Sequence, residues 1–147
     1  MRLLVFSQFW YPENGVPQRR WTWLSNIFAD MGAAISVVAP PPSYRRKLGL
    51  VDSLKSFAPG SQIETGPVGE EIYRSPFLFA GESLAARAFS QAFIAAGALI
   101  TVVRDWSRIR AVDAVVGTVP ALPTAVVSFL VARVARVPYL IDLRDAW

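Results

Sequence analysis

Cysteine and histidine are both missing from the 147 residues. Without cysteine there is no disulfide framework and no thiol nucleophile, which fits a reducing compartment. Without histidine, no Ser–His or Cys–His nucleophile pair and no imidazole metal site can be assembled within the chain; neither a metal nor a cofactor is predicted. Charge is sparse as well. Charged residues make up 18% against 53% hydrophobic, a balance that calls for a sheet covered on both faces or for contact with a membrane. A spanning helix needs ~18–20 apolar residues, and the nearest run, 88–103, is interrupted by Ser90, Gln91, Gly97 and Thr101, so it reads as a buried helix. The apolar stretch Leu3–Phe6 is too short for a secretory signal and lacks a small-residue cleavage site. Two nucleotide signatures are also absent. A dinucleotide dehydrogenase wants G-x-G-x-x-G after its first strand and an acidic residue at the end of its second; here Gly15 stands alone in the loop and the second strand ends Val38–Ala39–Pro40. No Walker A pattern occurs.

What is present alternates between two periods. Residues 2–7 form a continuous apolar run, the pattern of a central parallel strand. Residues 8–16 carry turn chemistry in Pro12 and Asn14–Gly15, and Pro17 suits the first turn of a helix. Leu24, Ile27, Phe28 and Met31 then fall at i, i+3, i+4 and i+7, predicting the core-facing stripe, and Gly32 marks the stop. A second strand follows at 34–39. After Pro40–Pro42, residues 43–69 read as one long irregular segment, and 71–75 as a short third strand. The pattern closes with a helix over 82–104, a strand over 113–118, a helix running to about Arg136, and a buried last strand over 137–143. Strands alternating with helices predict an α/β domain with a doubly wound, Rossmann-like parallel sheet, the five predicted strands ordered 3-2-1-4-5. The ligand crevice is expected where the order reverses, between the first and fourth strands.

Three segments converge on that crevice. In the first loop, Asn14, Gly15 and Val16 are candidates for a phosphate-facing turn, since a glycine admits close backbone approach and the helix behind it offers N–H groups. An Asn–Gly turn requiring positive φ accounts for the same residues, and both readings stand. Glu13, Arg19 and Arg20 line the loop and the first helical turn; Thr118 and Pro120 follow the fourth strand. In Leu140–Ile141–Asp142–Leu143–Arg144–Asp145, a strand interior seldom keeps an unpaired carboxylate. An internal Asp142–Arg144 or Arg144–Asp145 pair, and a crevice-lining acid or guanidinium, are the two readings. The net charge of +4 favours an anionic partner. Basic and aromatic residues are not interleaved on one predicted face, so no nucleic-acid partner is expected.

Taken together, "RLLVFSQFWYPENGVPQRRWTWLSNIFADMGAAISVVAP" and "DAVVGTVPALPTAVVSFLVARVARVPYLIDLRDAW" resemble the N-terminal domain of the retaining GT-B glycosyltransferases of family four. The likeness lies in the Tyr11–Pro12–Glu13–Asn14–Gly15 loop with its Arg-bearing helix, close to the family's Tyr–x–Pro–Glu–x–Gly, and in the Thr–x–Pro, Val–Pro–strand and Arg–Asp–x–Trp succession. It covers nearly the whole chain. It implies that residues 1–147 form the acceptor-side half of a GT-B architecture, with a donor-binding C-terminal domain outside this chain. The implied activity is transfer of a sugar from a nucleotide-diphosphate donor to a hydroxyl acceptor with retention. Asn14–Val16 would face the donor phosphates, and Glu13, Arg19, Arg20, Thr118 and Pro120 the acceptor crevice. Where many members carry a histidine after the fifth strand, this chain has Arg144 followed by Asp145, the implied catalytic pair. That departure matches a branch associated with bacterial surface-polysaccharide synthesis, often on lipid-linked acceptors.

The sequence stops at Trp147, directly after that pair, which predicts a piece of a longer polypeptide. Arg45, Arg46 and Lys47 precede Leu48, Leu50, Val51, Leu54 and Phe57, a combination that suits either docking on an anionic membrane or a plain solvated loop. The expected location is the cytoplasm, peripheral to the inner face of the plasma membrane. Two alternatives remain from the residues: a non-catalytic binding or membrane-docking module on the same fold, and half of a sugar-nucleotide epimerase.

Overall fold

The computed structural model describes residues 1–42, 63–78, 83–119 and 122–143. At its centre is β1 (Arg2–Phe6), paired in parallel with β2 (Ala34–Ala39) on one side and β5 (Ala114–Val119) on the other. Beyond β2 lies β4 (Glu71–Arg74), again parallel, and beyond that β3 (Ile63–Thr65), antiparallel. β6 (Tyr139–Leu143) runs parallel to β5 at the opposite edge. The six-stranded order is β3-β4-β2-β1-β5-β6. The protein is thus α/β with a mixed, mostly parallel sheet, and its parallel strands follow the expected sequence.

β3 corrects the reading of 43–69 as irregular throughout. Its three residues stand at an edge, where one side of the backbone needs no partner, so a strand forms without an apolar run. The turn that joins it to β4 is closed by Gly66 N–H donating to the Glu70 carbonyl at 2.8 Å, with Gly69 at φ +87°.

Helices cover both faces. On one, α1 (Val16–Asp30) packs Trp21, Leu24 and Phe28 against Val5, Val37, Ile72 and Val116. On the other, α2 (Leu84–Arg104), α3 (Trp106–Ile109) and α4 (Leu122–Ala135) bury Ala98, Val102, Ile109, Val127 and Val131 on Leu4, Phe6, Tyr73 and Val115. The α1 stripe differs from the predicted one. Gln18, Trp21 and Ser25 are buried, while Met31 lies past the end of the helix and is exposed. Serine at the contact keeps the helix close to the sheet, so the interface runs along a polar–aromatic line that an apolar count overlooks.

Two glycines set interelement distances. A Cβ on Gly97 of α2 would stand 2.0 Å from the Pro76 carbonyl oxygen, so the helix rests directly on the backbone that leaves β4. A Cβ on Gly117 of β5 would stand 2.3 Å from Ser128 Oγ and 2.6 Å from the Tyr139 hydroxyl. That hydroxyl donates to the Ala125 carbonyl at 2.9 Å, tying β6 to α4.

The outer faces of α2, α4 and β6 are less covered than the sequence implied. By length and composition alone, Ala85–Arg104 is long and apolar enough to cross a membrane, and 33% of its span-like window is buried within the protein. Its scattered Ser90, Gln91, Gly97 and Thr101 interrupt a strict apolar run without lowering the average below that needed. Between α2 and α4 lies an apolar groove of about 330 Å³ bordered by Leu99, Val103, Trp106, Leu130 and Val134. β6, predicted to be buried, is instead an edge strand with Leu140, Ile141 and Leu143 exposed.

Candidate functional site

The strand order reverses between β1 and β5, and their carboxyl ends meet directly. Thr118 donates its hydroxyl to Ser7 Oγ across 3.3 Å, and Ser7 in turn donates to the Phe9 carbonyl at 2.8 Å. Both side chains are buried. Thr118 therefore forms part of the floor under the loop, with its hydroxyl already engaged.

Above that floor, residues 8–15 are held by a guanidinium from another strand. Arg74, buried at the end of β4, donates to the carbonyls of Tyr11 and Pro40, the latter at 3.2 Å. Its Nε and Nη2 both reach Glu64 Oε2 on β3, at 2.9 and 2.6 Å. One cation thus fastens the first loop, the end of β2 and the edge strand together, an arrangement suited to the fork geometry of arginine.

The loop delivers Asn14 and Gly15 to the start of α1. Gly15 is the N-cap, with φ −80° and ψ 163°. This is extended backbone open to any residue, which corrects the expectation of a turn requiring positive φ. The helix has no side-chain cap and no acidic residue in its first turn; Val16, Arg19 and Arg20 are exposed there. Two cations beside the positive end of a helix are locally unfavourable unless an anion balances them.

One anion is present. Arg20 Nη2 lies 2.8 Å from Asp142 Oδ1, and Trp21 Nε1 donates to Oδ2 at 2.9 Å. The Asp142 carboxylate thus reaches across to α1 and is engaged on both oxygens; the expected Asp142–Arg144 and Arg144–Asp145 pairs lie outside the described residues. The pair positions α1 over β6. Among the described residues, Arg19 has no ion-pair partner.

Several expected site residues lie outside the described residues: Pro120, the Arg144–Asp145 pair, and the basic cluster Arg45, Arg46 and Lys47.

A concavity lies between the loop that follows β1 and the flank of α1. It is a cleft of about 290 Å³ between the first loop, one side of α1 and the β3–β4 turn. Trp10, Tyr11, Glu13 and Asn14 come from the loop, Gln18, Thr22 and Asn26 from successive turns of α1, and Val68 and Glu70 from the hairpin. Trp21 borders it, and stacks at a tilt on Trp10 with ring centroids 5.6 Å apart. Glu70 is buried and accepts the Val68 N–H at 3.0 Å, fixing the turn that forms the far wall.

No family model matches the chain, and no curated protein matches it. The geometry itself therefore carries the functional argument.

Of the residues singled out in the sequence, Glu13, Asn14, Gly15, Val16, Arg19 and Arg20 are brought together at the start of α1, with Thr118 beneath. Sequence reasoning missed Gln18, Arg74 and Glu70. Gln18 carried a usable signal, since it lies three and seven residues before Trp21 and Ser25 on one helical face. Arg74 and Glu70 carried none, because their roles depend on a strand pairing that short polar segments do not announce.

Proposed function

We propose that the chain is a doubly wound, Rossmann-like half of a GT-B sugar-nucleotide transferase, the half that presents the hydroxyl acceptor. The observation that carries this reading is the reversal of strand order between β1 and β5 beneath the 8–15 loop, the position where open α/β sheets bind ligands. It is joined there by an uncapped helix start with Arg19 unpaired among the described residues, a combination that favours an anion. The Tyr11–Pro12–Glu13–Asn14–Gly15 loop, which departs by one spacing from the family's Tyr–x–Pro–Glu–x–Gly, and the Arg–Asp–x–Trp succession support the same reading.

In the proposed reaction the bond between the sugar anomeric carbon and the diphosphate oxygen breaks, and the diphosphate leaves with the electron pair. A bond forms from the acceptor oxygen to the same carbon and the same face, and the acceptor proton passes to a base or to the departing phosphate. Arg19 and the backbone at Asn14–Val16 would stabilise the developing phosphate charge; Glu13 and Arg20 would border the acceptor. Arg144 and Asp145 are the proposed catalytic pair, the carboxylate taking the proton and the guanidinium answering negative charge. The nucleotide sugar is a substrate, and no metal is invoked. A cytoplasmic location at the inner membrane face, where lipid-linked acceptors are reached, accords with exposed Arg108, Arg110, Arg133 and Arg136 close in sequence to the apolar residues of the α2–α4 groove.

The test uses the polypeptide containing this chain joined to its donor-binding half. Incubated with a panel of nucleotide sugars and a lipid-linked hydroxyl acceptor, it should release nucleoside diphosphate only when acceptor is present, with the anomeric configuration retained by NMR. Residues 1–147 alone should release none, because positioning needs both walls of the cleft. Release by the isolated chain, or none by the joined protein with any donor, overturns the reading.

A further inference from the structure

The two helical layers turn different surfaces to the outside. On α1 the outward positions are mostly polar, among them Arg19, Thr22, Asn26 and Asp30, the usual arrangement for a helix with water beyond it. On α4 they are Leu122, Val126, Phe129, Leu130 and Val134, each at least 45% exposed. α2 continues that surface with exposed Leu99, Ile100 and Val103 across the apolar groove. A folded domain rarely leaves two adjacent helices apolar on their outer sides unless something covers them.

Charge decides what covers them. α2, α3 and α4 contain no aspartate or glutamate. Of the acids beside them, Asp105 is buried against Arg104, and Asp113 accepts the Arg2 backbone N–H at 2.7 Å. Arg108, Arg110, Arg133 and Arg136 are exposed, and none has an ion-pair partner among the described residues. They share one end of the face. The last turns of α2 and α4 flank the same groove, and Arg110 and Arg136 lead into β5 and β6, which pair with Val115 opposite Tyr139. A helix C-terminus favours a nearby cation, which accounts for Arg133 and Arg136 but not for a face without carboxylates. A second copy laid against this face would bring arginines and aliphatic side chains with no acid to meet them. An anionic lipid surface supplies both phosphate and hydrocarbon.

We propose that the α2–α4 face docks on an anionic lipid bilayer, with the two helices flat in the interface and the four arginines on lipid phosphates. α2 does not leave the fold to span the bilayer, because Thr101 is fully buried and Gly97 seats the helix on Pro76. Trp106, half-buried at the arginine end of the groove, stands where tryptophan is favoured, at headgroup level. This deepens the peripheral location put forward above by naming the surface, and it rests on that part of the reading alone. Lipid binding is measured without any sugar, so docking and transfer fail separately.

The experiment is flotation of the 147-residue chain with vesicles of phosphatidylcholine and phosphatidylglycerol, against phosphatidylcholine alone. Binding should be at least ~10-fold tighter to the anionic vesicles and should weaken as salt is raised. Replacing Arg108, Arg110, Arg133 and Arg136 together by Gln should weaken it at least ~10-fold. Val126→Gln with Leu130→Gln should weaken it at least ~10-fold too, with the melting temperature unchanged or higher, since both side chains face outward. Orientation is read separately. The chain has no cysteine, so Val126→Cys and Asn26→Cys each give one labelling site, on opposite faces of the sheet. A polarity-sensitive fluorophore should shift to the blue on anionic vesicles at position 126 and not at position 26. If the fourfold arginine variant does not fold, this labelled pair and the Val126–Leu130 variant decide. Any of four results overturns the proposal: no preference for anionic vesicles, a shift at position 26 instead of 126, affinity untouched by the Gln variants while replacing Arg45, Arg46 and Lys47 abolishes it, or a dimer that Leu130→Gln dissolves in a chain that binds no vesicles.

Discussion

At one edge of the sheet β3 adds three residues antiparallel to β4 and ends in charge, with Glu64 taking two hydrogen bonds from buried Arg74; at the other, β6 lies parallel to β5 with Leu140, Ile141 and Leu143 open to solvent. An unpaired strand edge is a template for pairing, and proteins blunt it with short strands and charge. The β3 side carries both devices. β6 carries only Asp142, whose carboxylate is turned toward α1. The first edge is held by a polar network whose loss disrupts the loop above the site; the second is held by the sheet behind it and tolerates change on its outer surface.

The sharpest way to break this contrast is Arg74→Met. It fills similar space but removes the cation that fastens Glu64 and the carbonyls of Tyr11 and Pro40. Glu64 is 41% exposed, so the loss comes mainly from the Tyr11 and Pro40 carbonyls left without their donor, about 1–3 kcal/mol each, to be read as a lower urea midpoint. A loss under about 1 kcal/mol would mean that strand pairing alone closes this edge.

Next in size is an alkaline effect on the same side. The Tyr73 hydroxyl is pushed up from 10.0 to about 12 by burial first, and then by its hydrogen bond to Glu71 and the charge of that carboxylate. A phenol harder to ionise in the folded than in the unfolded chain favours folding fully below pH ~10, and that contribution is lost as pH rises through about 12. Two units correspond to about 2–3 kcal/mol. Tyr73→Phe should flatten stability over this window, measured as urea midpoints from pH 9 to 12; an unchanged slope would assign the alkaline loss to other groups.

The smallest effect is expected at the opposite edge. Leu143 is 67% exposed, so Leu143→Lys should shift stability by less than ~0.5 kcal/mol. It should also lower any self-association seen by sedimentation velocity, because lysine blunts an apolar edge. A large drop in melting temperature would show that β6 is anchored through this side chain and would erase the difference between the edges.

The same contrast explains what could be read in advance. β1, β2, β5 and β6 are apolar runs, and their order follows from the handedness of parallel crossovers, so the central architecture was legible. β3 was not, because Ile63–Glu64–Thr65 is short and polar and sits among proline and glycine. With β3 missed, the hairpin wall of the α1 cleft was missed too. Asp142 stood out correctly as an odd carboxylate in a strand, but its partners Arg20 and Trp21 are more than a hundred residues away, a distance that local spacing cannot bridge. Gly15 shows the reverse error: an Asn–Gly pair suggests a left-handed turn, yet the residue adopts an extended N-cap.

The notch at Gly97 bears on how the chain is made. α2 is apolar enough for a bilayer, and a nascent segment of that kind has competing destinations. Pro76, the backbone on which Gly97 rests, is synthesised before α2, as are β1, β2 and β4, which together supply the surface that Ala98 and Val102 cover. Synthesis proceeds from the N-terminus at about 5–20 residues per second, so the receiving surface leaves the ribosome ahead of the helix that needs it. Any side chain at position 97 would delay that docking step while leaving the attraction to lipid untouched.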